Sequence, residues 1–111
     1  MVTQGGTRTD IEVEVLKRAA RVLKAVSHPL RLRILEVLGG GGLSVKEIQS
    51  AVGEPQAVVS QHLGLMRDRG VLKSKRCGTS VYYSISSDFV SEVLSCIRRC
   101  GGSLGFKDMG E

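Results

Sequence analysis

Tryptophan is absent, and the only aromatic side chains among 111 residues are Tyr82, Tyr83, Phe89 and Phe106. Proteins that grip single-stranded nucleic acid stack successive bases on aromatic platforms, and this chain has too few rings to build one. No apolar run approaches the ~18 residues of a membrane helix. Residues 1–10 are polar and glycine-bearing, without the apolar stretch of a secretion signal. The expectation is therefore a cytoplasmic chain with no membrane partner. Cysteine is scarce and odd in number (Cys77, Cys96 and Cys100), which argues against a disulfide framework and for reduced thiols. Histidine is limited to His28 and His62, neither placed with an Asp or Ser in a catalytic motif. The glycines at 39–42 follow a helical stretch and lack the Lys-Ser/Thr of a phosphate-cradling loop. An enzyme is not expected.

What the chain does have is positive charge in blocks. Sixteen Lys and Arg against eleven Asp and Glu leave a formal charge of +5. Between positions 16 and 35 stand Lys17, Arg18, Arg21, Lys24, Arg31 and Arg33 with no acid; between 67 and 76 stand Arg67, Arg69, Lys73, Lys75 and Arg76 with only Asp68. A charge run is ordinarily a solvated face, but clustering on defined segments is also the footprint of phosphate contact.

Residues 1–8 read as a disordered tail, 9–100 as one folded domain, and 101–111, with Gly101, Gly102, Gly105 and Gly110, as a flexible tail. Thr9 and Glu12 have capping-box spacing ahead of an apolar stripe at Val15, Leu16, Ala19, Val22, Leu23 and Val26, which predicts a first helix. Ser27 and Pro29 open a second, buried through Leu30, Ile34, Leu35 and Leu38 and stopped by the glycines that follow. Ser44 and Glu47 repeat the capping box before a short third helix, ended by Gly53. A fourth helix then starts at Glu54 and Pro55 and runs to Arg69. A short helix, a tight turn and a longer helix make a helix-turn-helix.

The fourth helix carries the most information. Val59, His62, Leu63 and Met66 share one face, which places His62 inward. The opposite face carries Gln56, Ala57, Ser60, Gln61 and Gly64, small or amide-bearing and uncharged. Such side chains can exchange hydrogen bonds with base edges without bulk; the plainer reading is a protein contact. Residues 71–76 and 80–86 then predict two strands around a turn at 77–79, with Lys73, Lys75 and Arg76 near the tip. Ser87 and Asp88 open a last helix through Cys100. The fold class is mainly α with a small β-hairpin.

The segments LKAVSHPLRLRIL at 23–35, QAVVSQHL at 56–63, RDRGV at 67–71 and VYY at 81–83 resemble, in order, the signature stretches of the ArsR/SmtB family of winged helix-turn-helix repressors. The resemblance spans about residues 11–100. It implies five helices plus a two-stranded wing, a homodimer joined through first and last helices, and repression at a palindromic DNA operator with half-sites ~10 bp apart. On the matching positions Gln56, Ala57, Ser60 and Gln61 carry over as groove contacts. Lys73, Lys75, Arg76 and Thr79 fall at the wing, against phosphate or minor groove.

Family members release DNA when a metal, metalloid or thiol-reactive signal binds, and the usual sites are missing here. A Cys-x-Cys pair is replaced by Ser44 and Lys46, the last-helix zinc ligands are not present beyond Asp88, and Glu36 stands where persulfide-sensing relatives carry a cysteine. Cys96 and Cys100 remain, four apart and thus neighbours on a helix at roughly 5–6 Å between Cβ atoms. Thiolates so spaced suit a soft metal or metalloid ion. Oxidant or reactive-sulfur chemistry at the same thiols, inert packing of a Phe89, Val93, Cys96, Cys100 stripe, and a repressor with no small-molecule inducer stay open as alternatives. Cys77, near the wing tip, reads as incidental.

Overall fold

Eight elements carry residues 9–101, the part of the chain that the computed structural model describes: α1 (Val13–Val26), α2 (Pro29–Leu38), β1 (Leu43–Ser44), α3 (Val45–Val52), α4 (Gln56–Asp68), β2 (Leu72–Cys77), β3 (Ser80–Ile85) and α5 (Asp88–Cys100). Both tails expected at 1–8 and 101–111 lie outside the described residues, apart from Gly101 at the end of α5.

Local chemistry accounts for most of the boundaries. Ser44 forms the complete capping box of α3: its hydroxyl accepts from the Glu47 amide at 3.2 Å, and the Glu47 carboxylate accepts from the Ser44 amide at 2.9 Å. Gly53 closes α3 at φ 73°, a left-handed conformation that costs glycine nothing. Pro29 occupies the first turn of α2, where its missing N–H is no loss. The cap of that helix is His28 rather than Ser27; its Nδ1 accepts from the Leu30 amide at 3.0 Å. Ser87 caps α5 through Val90. The capping box expected at Thr9 and Glu12 is not formed. Glu12 is itself the N-cap, with no side-chain hydrogen bond, and its carbonyl takes the bonds of Val15 and Leu16.

The sheet has three strands in the order β1-β3-β2, all antiparallel, where a two-stranded wing was expected. Leu43 pairs with Tyr83 and Ser44 with Tyr82, so the added strand ties the hairpin to the segment just before α3. The expected turn at 77–79 is shorter, because Cys77 pairs with Ser80 and only Gly78 and Thr79 remain between the strands. Gly78, at φ 64°, makes that tight reversal possible.

One apolar core joins Ile34, Leu35 and Leu38 of α2, Ile48 of α3, Val59, Leu63 and Met66 of α4, Val71, Leu72 and Tyr83 of the wing base, and Val90 and Leu94 of α5. No polar or charged side chain is buried among the described residues. The expected stripe of α1 is only partly covered. Ala25 and Val26 are buried, while Leu16 and Leu23 stay 49% and 43% exposed. On α5 the buried residues are Val90 and Leu94; of the cysteine stripe Phe89 and Cys96 are exposed, and Val93 and Cys100 half-buried. No helix among the described residues is long and apolar enough to cross a membrane.

Removing the α3 cap with Ser44→Ala is expected to cost about 1 kcal/mol. In a thermal melt followed by circular dichroism the midpoint should fall by roughly 4–8 °C. Thr9→Ala should leave the midpoint unchanged, since no cap is lost there.

Candidate nucleic-acid interface

Burial of Val59, Leu63 and Met66, none with any exposed surface, sets the rotation of α4 about its axis. At 3.6 residues per turn Gln56, Ala57, Ser60 and Gln61 must then point away from the core, and all four are exposed. Gly64 continues that face, and a Cβ built there meets nothing within 4 Å, so no neighbour requires glycine; its effect is to keep the face low. Ser60, Gln61, Gly64, Leu65, Asp68 and Arg69 border an open groove of about 410 Å³. Among the described residues no side-chain hydrogen bond or ion pair engages Gln56, Ser60 or Gln61. Pro55 sits at the N-cap and offers no side-chain cap, which leaves the first-turn N–H groups of Gln56, Ala57 and Val58 for an outside acceptor.

The wing stands beside this face. Its register pairs Lys73 with Ser84, Lys75 with Tyr82 and Arg76 with Val81. Side chains alternate along a strand, so Lys73, Lys75 and Tyr82 share the outer face and Arg76 takes the side of Tyr83. Lys73, Lys75, Arg76 and Thr79 are all exposed, and no carboxylate pairs with the three cations among the described residues. Every residue expected at the interface is thus presented to solvent, on two adjoining elements joined by Gly70 and the buried Val71.

His62 departs from its expected place in the core. It lies half-buried at the margin of the buried stripe, where Nδ1 accepts from Arg31 Nε at 3.1 Å and its ring centroid lies 4.7 Å from that of His28. Arg31 also donates to the Ala25 carbonyl at 3.1 Å. Loss of hydration, then the Arg31 charge, then His28 disfavour a proton on His62 and lower its pKa below the usual 6.5. The sequence shows only that His28, Arg31 and His62 fall within two motif segments; a contact across 31 positions has no local signal.

Cys96 is exposed and Cys100 half-buried on α5, while Cys77 is exposed at the end of β2. No group of three or more His, Cys, Asp or Glu that could hold a metal ion is present among the described residues. Among the described residues, then, the two sulfurs of α5 are joined by no third ligand of the same protomer. Glu36 is ion-paired with Arg33 and lines a groove of about 340 Å³ between α2 and α5, with Leu32, Leu94 and Ile97.

A helix-turn-helix with a bare uncharged outer helix and an unpaired cationic hairpin is the architecture of a duplex-DNA reader. Known proteins agree. The family described as a helix-turn-helix domain matches residues 26–75. The HTH-type transcriptional regulator YgaV of Escherichia coli is 39% identical over 83 residues, covering 74% of this chain and 84% of its own. The transcriptional repressor PagR of Bacillus anthracis is 39% identical over 88 residues, covering 78% of this chain and 88% of its own; its crystal structure superposes with a TM-score of 0.73. A solution structure of Mb0332 from Mycobacterium bovis, described as a homodimeric winged helix-turn-helix DNA-binding domain and a possible ArsR-family regulator, gives 0.72 at 28% identity, covering 89% of this chain and 91% of its own. The chain belongs to the ArsR/SmtB family of winged helix-turn-helix transcriptional regulators. The relatives it matches are described as transcriptional regulators and repressors.

Two substitutions separate the two halves of this interface. Lys75→Ala should weaken binding to specific and random duplexes alike and reduce the slope of log affinity against log salt by about 0.9 for each wing in contact, hence about 1.8 for two wings. Gln56→Ala should weaken specific binding more than random binding at an unchanged slope. Equal losses on both duplexes from Gln56→Ala would remove it from base reading.

Proposed function

We propose that this protein is a homodimeric transcriptional repressor that binds a palindromic operator and is released by a thiophilic signal at Cys96 and Cys100. The observation that carries the DNA reading is the outer face of α4, held away from the core by Val59, Leu63 and Met66 and, among the described residues, left without side-chain partners beside a wing whose cations pair with no carboxylate. Gln56, Ala57, Ser60 and Gln61 read base edges in the major groove, and Lys73, Lys75, Arg76 and Thr79 hold backbone or minor groove.

The dimer reading is supported by two uncovered apolar faces. Leu16 and Leu23 on α1, and Phe89 and Ile97 on α5, are large side chains at 37–49% exposure. A second copy covering both would remove that surface from water. Two copies of α4 would then meet successive major grooves about one helical turn apart, ~10 bp.

For the signal, two thiols per protomer fit a soft ion only if the two-fold brings both pairs together, because four sulfurs complete a tetrahedral thiolate site. Cys96 and Cys100 would hold such an ion, and the ion would supply a cross-link between the two α5 helices. A second reading has its own support: Cys96 is exposed and no third ligand lies in the same chain among the described residues, which suits direct reaction with an oxidant or reactive sulfur species.

The test uses the reduced dimer and a duplex enriched by the protein from a random pool, titrated under nitrogen. Zinc ion is expected to weaken binding at least tenfold in the native protein and not in Cys96→Ser or Cys100→Ser. Release by peroxide or polysulfide but not by zinc ion selects the second reading. A response that survives the double serine variant, or none to any probe, removes the cysteines from the switch, and a monomer at micromolar concentration overturns the dimer.

A further inference from the structure

Apolar contact holds α4 against the core but is not directional; it tolerates small rolls and slides that a hydrogen bond does not. Among the described residues one side-chain hydrogen bond ties α4 to another element, that from Arg31 Nε to His62 Nδ1. The same guanidinium donates to the carbonyl of Ala25, in the last turn of α1, where helical carbonyls run out of partners. Arg31 on α2 thereby joins the end of α1 to the middle of α4. His62 follows Gln61 directly, so any roll of α4 that breaks the bond also turns the base-reading face.

The bond requires a bare Nδ1, and hence a neutral imidazole with its proton on Nε2. The charged and titratable groups facing the ring are Arg31 from α2 and His28 from the turn before it. The other elements packed on α4, namely α1, α3 and β2, bring none among the described residues. A proton added at Nδ1 removes the acceptor and sets a second cation against the guanidinium, with no carboxylate to offset it.

We propose that Arg31 and His62 are positioning residues for DNA recognition, fixing the pose of α4 while His62 is neutral and releasing it when His62 takes a proton. This rests on the DNA-binding reading above. The direction of the pH effect is distinctive. A histidine that merely gained charge near a polyanion would strengthen binding on acidification; here acidification weakens it. The linkage to stability has the same sign. His62 binds its proton less readily in the folded chain than in the unfolded one, so its contribution is complete above about pH 6.5 and is lost as pH falls through the lowered pKa.

The experiment measures affinity for the enriched duplex at constant ionic strength from pH 8 to 5.5, with circular dichroism confirming the fold throughout. Native protein is expected to lose about tenfold or more of its affinity at the acid end. His62→Asn, which keeps an acceptor and does not titrate, should match the native protein at pH 7.5 and show a flattened profile. His28→Asn preserves a helix cap and should keep the acid loss, with its midpoint moved slightly toward higher pH because one group that disfavours the His62 proton is gone. Arg31→Ala should lose about tenfold or more at pH 7.5 with the salt slope unchanged. The proposal is overturned by affinity that holds or rises on acidification, by acid loss that persists in His62→Asn, or by a slope reduced by about 0.9 or more per protomer in Arg31→Ala, which marks a phosphate contact. If the native protein binds no duplex at pH 7.5, the DNA reading itself fails. The clamp is then judged by NMR: α4 amide shifts that track His62 titration in the native chain and not in His62→Asn support it, and unmoved shifts overturn it.

Discussion

Helix α4 has to serve two surfaces at once, and the rest of the molecule is arranged around that division. Three side chains one turn apart, Val59, Leu63 and Met66, disappear into the core, and the remaining circumference is left to water. Everything that presents the outer face follows from satisfying the inner one. Ile48 of α3 packs behind it, the glycine stop at position 53 lets α3 turn into α4, and Val71, bonded through its amide to Met66, brings the chain straight into the wing. The wing's place beside the recognition face is thus a by-product of core packing rather than of contacts between the two functional surfaces.

Stability and recognition occupy separate sets of atoms. The core is built of hydrophobic residues, and the polar groups that could meet nucleic acid lie outside it, with no side-chain partners among the described residues. Unpartnered amides, hydroxyls and ammonium groups are well solvated when exposed, so leaving them free costs the fold little, and they can exchange water for a ligand. Arg31 and His62 are where these two sets meet: half-buried, hydrogen-bonded to each other, and adjacent to Gln61 on the exposed face of α4.

What could be read from the linear chain was whatever depends on near neighbours. The Ser44 and Glu47 box, the stop at Gly53, the inner stripe of α4 and the hairpin were all legible, as was the exposure of the eight candidate contact residues on α4 and the wing. Thr9 and Glu12 carry the same local pattern as the α3 box, yet nothing packs there; Ile11 is 56% exposed, and the helix starts only at Val13. Strand β1 is two residues long and has no periodicity of its own, existing because Tyr82 and Tyr83 pair with it. Its spacing three residues after Val59 points His62 inward, but that position is the edge of the stripe, where an arginine from another helix satisfies it. The apolar spacing on α1 and α5 marks apolar faces, and it does not reveal how much of them the chain itself leaves open: Leu16, Leu23, Phe89 and Ile97 are exposed.

The hairpin reverses over only two residues, Gly78 and Thr79. Because successive side chains alternate sides, its length is a discrete setting. One residue more or less in β2 would exchange the outward lysines with their inward neighbours and carry Leu72 out of the core in the same step. Natural variation in such a wing should therefore come in pairs of residues or at the tip, where the loop can lengthen without moving the strands, and a change of reach need not alter which cations it displays.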